Sequence, residues 1–98
     1  MITEHAILNV IPGHEEDFLS ALEQAKTFIA GSPGFRGLRV ERCFENPSTF
    51  LLLVEWESLE AHTQGFRGSA AYEQWRKLLH HFYEPFPVVE HFEPVATA

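Results

Sequence analysis

One segment of this sequence is apolar along both of its faces, and it limits the possible folds more than any other feature. Residues 49–57 read TFLLLVEWE, the strongest strand signal in the chain. Successive side chains of a strand point to opposite faces, so Leu51 and Leu53 face away from Leu52 and Val54. A strand of this kind needs apolar cover on both sides. We therefore expect a sheet covered by helices on one face and by a second partner on the other.

The segments around this strand predict the element order βαββαβ. Apolar or alternating stretches indicate further strands at residues 4–11, 35–45 and 88–93. In the second of these strands, one face is predicted to carry Leu38, Val40 and Phe44. A first helix follows an acidic start, and its apolar stripe consists of Phe18, Leu22, Ala25 and Ile29. Ser58 is a good N-cap for a short helix over 59–66, and a longer helix follows Gly68-Ser69, with a stripe formed by Tyr72, Trp75, Leu79 and Phe82.

Two split βαβ units of this order predict one ferredoxin-like α+β domain over residues 1–98. Its antiparallel four-stranded sheet has both helices on one face. The other face then exposes Leu51 and Leu53. We expect a second copy of the chain to cover it, which gives a homodimeric α/β barrel.

The charge balance argues against two classes of partner. Fourteen acidic residues against seven Lys and Arg give a net charge of −7, so neither nucleic-acid binding nor membrane binding is expected. Cys43 is the only cysteine, which rules out an intrachain disulfide. The first residues carry no cationic leader, and no apolar run approaches the length of a membrane span. A cytoplasmic location is expected.

The segment Glu55-Trp56-Glu57-Ser58-Leu59-Glu60-Ala61-His62 resembles the strand-to-helix junction of the antibiotic biosynthesis monooxygenase-like family. Pro12-Gly13 and Ser32-Pro33-Gly34-Phe35 resemble motifs of the same family, so the resemblance covers nearly the whole chain. It implies a dimeric α/β barrel with a cavity between sheet and helices. Some members oxidise aromatic polyketides, quinols or phenols with molecular oxygen and without a metal or flavin. Others degrade haem, isomerise small metabolites or have no known activity.

Two branches of the family can be compared with individual residues. Trp56, Phe66 and Arg76 match residues of the aromatic-polyketide branch, whereas His62 replaces its tyrosine and Leu52 replaces its asparagine. The haem-degrading branch has an asparagine, a tryptophan and a histidine at positions occupied here by Ala6, Gly65 and Trp75. Haem degradation is therefore not expected.

The resemblance implies a monooxygenase that oxidises a small aromatic substrate without a cofactor. Such a reaction needs a base, stabilisation of the substrate anion and exclusion of water. We expect His62 to accept the phenolic or enolic proton, Trp56 and Trp75 to enclose the ring, and Arg76 to favour the anion. In this hypothesis the catalytic residues are His62 and Trp56, and the substrate-binding residues are Phe66, Tyr72, Trp75 and Arg76.

Each of these residues also has a plain structural interpretation. His62 and Arg76 could lie on the surface, and Trp56, Tyr72 and Trp75 could be ordinary core. Gly65 and Gly68 could form a flexible lip with Phe66 as a gate, or end the helices through unusual backbone angles. Because the asparagine is missing, two alternatives remain open: another enzyme of the same fold that acts on a small metabolite, such as an isomerase or a hydrolase, and a non-catalytic ligand-binding protein.

The histidines and the cysteine offer a weaker signal for other chemistry. His80 and His81 diverge by about 100° around a helix and cannot chelate one ion together. His5 and His91 lie on the first and last strands, which we expect to be neighbours, so these histidines could approach each other. No metal-binding spacing accompanies them, and no metal or other cofactor is expected. Cys43 has no nearby base and is interpreted as packing.

Overall fold

The computed structural model describes all residues from 1 to 98, and it confirms the predicted βαββαβ order. The strands are β1 (Ile2–Asn9), β2 (Phe35–Arg42), β3 (Thr49–Trp56) and β4 (Val89–Phe92). The helices are α1 (Glu15–Ala30) and α2 (Ala70–Leu79), with a π-helical segment at Ala61–Phe66 and a 3₁₀ turn at His80–Phe82. The four strands form one antiparallel sheet in the order β2-β3-β1-β4. This is the expected ferredoxin-like α+β arrangement.

The core lies between the sheet and the two helices. α1 begins with three acidic residues, whose charges favour a helix N-terminus, and buries the predicted stripe of Phe18, Leu22, Ala25 and Ile29. Ser69 is the N-cap of α2, and its hydroxyl accepts a hydrogen bond from the backbone N–H of Tyr72 at 3.2 Å. The sheet contributes every second side chain to this core, among them Ala6, Leu8, Leu52 and Val54. None of the helices is both long and apolar enough to cross a membrane.

Three local expectations differ from the structure. β2 ends at Arg42, and Phe44, predicted to share the face of Leu38 and Val40, is 96% exposed because the chain has already turned away from the sheet. Phe82 is buried as expected but belongs to the 3₁₀ turn after α2 rather than to the helix itself. Positive φ angles occur at Gly13 and Gly34 and at neither Gly65 nor Gly68, so those two glycines do not end the helices through unusual angles.

The outer face of the sheet has no cover within the chain. Leu51 and Leu53 are half-buried there, opposite the fully buried Leu52 and Val54. Ile7 on β1 and Phe92 on β4 are about half-exposed, at 48% and 52%. The expected strand with two apolar faces is therefore present, and one of its faces is open.

Candidate functional site

A cavity of about 70 Å³ lies between the sheet and α2. Most of its lining is apolar or aromatic, with Leu52, Phe66, Tyr72, Trp75, Tyr83 and Phe86 among the side chains that form the wall. The rings of Phe66 and Trp75 meet nearly edge to face, with centroids 6.0 Å apart, and Tyr72 meets Phe66 in the same way. The cavity is therefore suited to a flat apolar group.

A buried carboxylate forms part of this wall. Glu4 lies on β1 in the same inward-facing set as Ala6 and Leu8, and only 6% of it is exposed. Its Oε1 accepts a hydrogen bond from Trp56 Nε1 at 3.0 Å and lies 3.3 Å from His62 Nε2. Burial raises the pKa of Glu4, because the charged form loses its water, although the hydrogen bond from Trp56 and the charge of Arg67 act in the other direction. Both contacts fall on Oε1, so Oε2 is the oxygen available to a ligand in the cavity.

His62 occupies the first turn of the π-helical segment, and the protein contacts both of its ring nitrogens. Ser58 accepts a hydrogen bond from the backbone N–H of Ala61 at 3.2 Å, which fixes the start of this segment. The imidazole stacks on Trp56 with ring centroids 5.3 Å apart, and its Nδ1 lies 2.8 Å from His91 Nε2. Burial, followed by the charges of Arg67 and His91, lowers the pKa of His62 to about 3. The ring is therefore neutral near pH 7, with one nitrogen donating and the other accepting.

Arg67 supplies the positive charge nearest to this cluster. It follows directly after the π-helical segment, is exposed to solvent and lines the cavity. At His62 and His91 its positive charge lowers the pKa in the same direction as burial, which is the larger cause. At Glu4 it acts against burial, which raises the pKa of that carboxyl and is the larger effect. A ligand that carries or develops a negative charge would be attracted to this side of the cavity.

The structure brings four of the six predicted site residues to the cavity wall, namely His62, Phe66, Tyr72 and Trp75. His62 is buried, so its interpretation as a surface residue is wrong. Phe66 is only 2% exposed and packs against Trp56, His62 and Trp75, so it is a fixed part of the wall rather than an exposed gate.

The other two predicted residues do not reach the cavity wall. Trp56 is fully buried behind His62, with its Nε1 bonded to Glu4, so it cannot enclose a ring together with Trp75. Arg76 points to solvent from α2 and pairs with Glu73 at 2.8 Å. Arg67, and not Arg76, is the arginine of the cavity.

Sequence reasoning missed Glu4, Arg67 and the contact between His91 and His62. One signal was available for Glu4, because its position alternates with Ala6 and Leu8 on the inward face of the first strand. The expected approach of His5 to His91 is wrong: the register pairs Glu4 with His91 and His5 with Glu90, which puts the two histidines on opposite faces. No group of three or more His, Cys, Asp or Glu side chains in the chain could hold a metal ion. Cys43 is a free thiol 3.5 Å from Glu45 Oε1.

The sequence and the fold both have close counterparts among known proteins. Residues 1–78 match the sequence model of the family described as Antibiotic biosynthesis monooxygenase. The uncharacterised protein YczJ of Bacillus subtilis (strain 168) is 48% identical over 95 residues, which span 97% of this chain and 100% of YczJ.

Two solved structures share the fold over nearly the whole chain. One is a Bordetella bronchiseptica protein assigned to the antibiotic biosynthesis monooxygenases; it is 35% identical, with a TM-score of 0.92 over 97% of each chain. The other is a conserved protein of Methanosarcina mazei Go1, which is 20% identical, with a TM-score of 0.80 over 93% of this chain and 89% of its own. The second likeness shows the fold alone.

Proposed function

The chain belongs to the antibiotic biosynthesis monooxygenase family, and we propose that it oxidises a small aromatic substrate, a phenol or quinol, with molecular oxygen. One observation carries this proposal: a buried carboxylate–imidazole pair, Glu4 and His62, adjoins a cavity with aromatic walls. The walls suit the substrate ring, and Oε2 of Glu4 is the atom that would meet its hydroxyl group.

The pair would remove the hydroxyl proton of the substrate. The resulting anion is electron-rich and can reduce oxygen directly. Arg67 would stabilise its negative charge, and the aromatic walls would keep bulk water away from it. In this proposal Glu4 receives the proton and His62 acts through its contact with Glu4, since both imidazole nitrogens already have partners.

The reaction balances without a metal or flavin. For a phenol, one oxygen atom of O₂ becomes a carbonyl oxygen on a ring carbon, and the other leaves as water. The hydrogen atoms of that water come from the substrate, and the substrate also supplies all four electrons that reduce O₂. We therefore propose a cofactor-independent monooxygenase, in keeping with the family members that need neither metal nor flavin.

The size of the cavity favours a substrate with a single ring. An engineered cavity of roughly 150 Å³ binds benzene, whereas this cavity measures about 70 Å³. Even one ring therefore requires some widening at the mouth, where Phe86 is 60% exposed. We expect hydroquinones and catechols to react faster than three-ring anthrones.

We further propose that the protein works as a homodimer formed through the outer face of the sheet. The half-buried Leu51 and Leu53, with Ile7 and Phe92 beside them, support this assignment because no part of the chain covers them. Light scattering at micromolar concentration should give twice the chain mass of 11.2 kDa. A monomer under these conditions would refute the proposed barrel.

A proton-transferring isomerase is the second candidate, because the same Glu4–His62 pair could move a proton between two positions of a substrate. Such an enzyme would convert its substrate without consuming oxygen. Oxygen consumption therefore separates the two candidates, and binding without conversion would indicate a ligand-binding protein.

The proposal is tested by oxygen uptake of the metal-free protein with hydroquinones, catechols and anthrones, and with denatured protein as the control. We expect uptake above autoxidation that is abolished in His62→Ala and kept in Arg76→Ala, whose side chain lies outside the cavity. Unchanged turnover in a folded His62→Ala variant would refute the assigned site. Conversion of a compound without oxygen uptake would favour the isomerase.

A further inference from the structure

We propose that Glu4, His62 and His91 form a proton relay between the cavity and the solvent beside β4. The inference rests on the proposed function to the extent that a substrate in the cavity gives up a proton. It adds a role for His91, a positioning residue that does not line the cavity.

The three side chains lie in one row, in which His62 is hydrogen-bonded to His91 and in close contact with Glu4. Antiparallel pairing of β1 with β4 puts Glu4 and His91 side by side on the inward face of the sheet. The π-helical segment inserts His62 against both, with Nε2 3.3 Å from Glu4 Oε1 and Nδ1 2.8 Å from His91 Nε2. Because an imidazole can accept at one nitrogen while it donates from the other, this arrangement can conduct a proton.

Both ends of the chain of contacts are open. Glu4 Oε2 makes no hydrogen bond and belongs to a residue of the cavity wall. At the other end, Nδ1 of the half-buried His91 makes no hydrogen bond. Among residues that are not exposed, the one polar side-chain atom that is both buried and without a partner is His5 Nδ1. His91 Nδ1 is therefore not buried and contacts solvent. One end therefore faces the cavity and the other faces water.

Transfer through these groups needs no buried charge. In the proposed starting state, Glu4 carries its proton on Oε1, 3.3 Å from the unprotonated Nε2 of His62, while His62 donates from Nδ1 to His91 Nε2. When Oε2 takes the substrate proton, the Oε1 proton moves to His62 Nε2 and the Nδ1 proton of His62 moves to His91 Nε2. The Nδ1 proton of His91 then leaves to water, and all three groups end as neutral as they began.

The second half of the reaction resets the relay. The oxygen atom that leaves as water takes one hydrogen from the ring carbon that becomes the carbonyl. It needs a second proton, which Glu4 can return from Oε2 in place of the hydroxyl proton that the substrate gave up. Each transfer then runs in reverse, and His91 takes a proton back from solvent. Burial and the positive charge of Arg67 both disfavour an imidazolium at either histidine during these transfers.

The relay can be tested without a substrate by NMR of protein labelled with ¹⁵N in its histidine rings. We expect a scalar coupling between His62 Nδ1 and His91 Nε2 across their hydrogen bond, and neutral ring shifts for His62 down to pH 5. The coupling should disappear in His91→Ala and persist in His14→Ala, which removes an exposed histidine far from the site. A His62 imidazolium at pH 6, or the absence of any coupling in the wild type, would overturn the relay.

A kinetic test applies with any substrate found active. His91→Ala should lower kcat by about tenfold or more while leaving KM unchanged, and added imidazole should restore kcat. A purely structural role for His91 would give no rescue, which would contradict the proposal. If no compound consumes oxygen, the proposed function fails, whereas the NMR result still decides whether the neutral, hydrogen-bonded His62–His91 pair that the relay needs exists.

Discussion

Replacing His62 with glutamine should remove much of the acid sensitivity of the folded protein. In the native state, burial lowers the pKa of this histidine from its ordinary value of 6.5 to about 3. Below pH 6.5 the unfolded chain binds a proton at His62 that the folded chain does not bind. The contribution of His62 to the free energy of unfolding is therefore fully present above pH 6.5 and is lost as the pH falls toward 3. Glutamine keeps a polar amide at this position but does not titrate.

The magnitude follows from the two pKa values. A tenfold difference in proton affinity corresponds to about 1.4 kcal/mol, so the wild type should lose about 2.5 kcal/mol more than His62→Gln between pH 7 and pH 4.5. This is a large part of the total free energy of unfolding, because a domain of this size is typically stable by only about 5–15 kcal/mol. The raised pKa of Glu4 has the opposite sign, since it costs stability as the pH rises above 4.5. Because Glu4 is present in both proteins, its contribution largely cancels in the comparison.

The assay is urea unfolding followed by far-UV circular dichroism at several pH values and one fixed protein concentration. His81→Gln is the matched control, because it removes an exposed histidine outside the Glu4–His62–His91 cluster and should follow the wild type. If His62→Gln and the wild type lose the same free energy on acidification, His62 is not held neutral in the folded state. The description of the site would then be wrong.

Three further predictions concern the glycines, the arginines and the outer face of the sheet. Gly34→Ala should lower the free energy of unfolding in urea by about 3 kcal/mol, because φ is +86° there and the new Cβ would lie 2.7 Å from Ala61 Cβ. Gly13→Ala should lower it by only about 1 kcal/mol, because φ is +94° there but no atom lies near the new Cβ. Arg67→Ala should raise KM about tenfold in steady-state kinetics, whereas Arg76→Ala should leave it unchanged. Leu53→Glu should give a folded monomer by light scattering, and a persistent dimer would place the interface elsewhere.

The fold was predictable because alternation and helical spacing specify it at almost every element. The opposite directions of Leu51 and Leu52 require two covers for β3, and the stripe beginning at Phe18 supplies one of them. Phe44 was misplaced because alternation cannot show where pairing stops. The strand ends at Arg42, where the chain turns toward Asn46.

The site was only partly predictable because its key contacts join residues far apart in sequence. Glu4 sits near the start of a strand, and its importance emerges only when β1 pairs with β4 and His62 enters from the π-helical segment. A π-helical segment turns by a different angle per residue than an α-helix, so spacing could not tell Arg67 from Arg76 as the arginine of the cavity. Trp56 was correctly placed in the sheet, but its side chain serves Glu4 and His62 rather than the cavity.

We propose that this protein inserts oxygen from O₂ into a small aromatic molecule by using its own side chains. The most direct measurement is mass spectrometry of the product formed under ¹⁸O₂ by metal-free protein with the most active compound of the panel. We expect one ¹⁸O atom in each product molecule and the other in water, with no product in Glu4→Gln. A product that carries no ¹⁸O, or that forms equally well without oxygen, would contradict it.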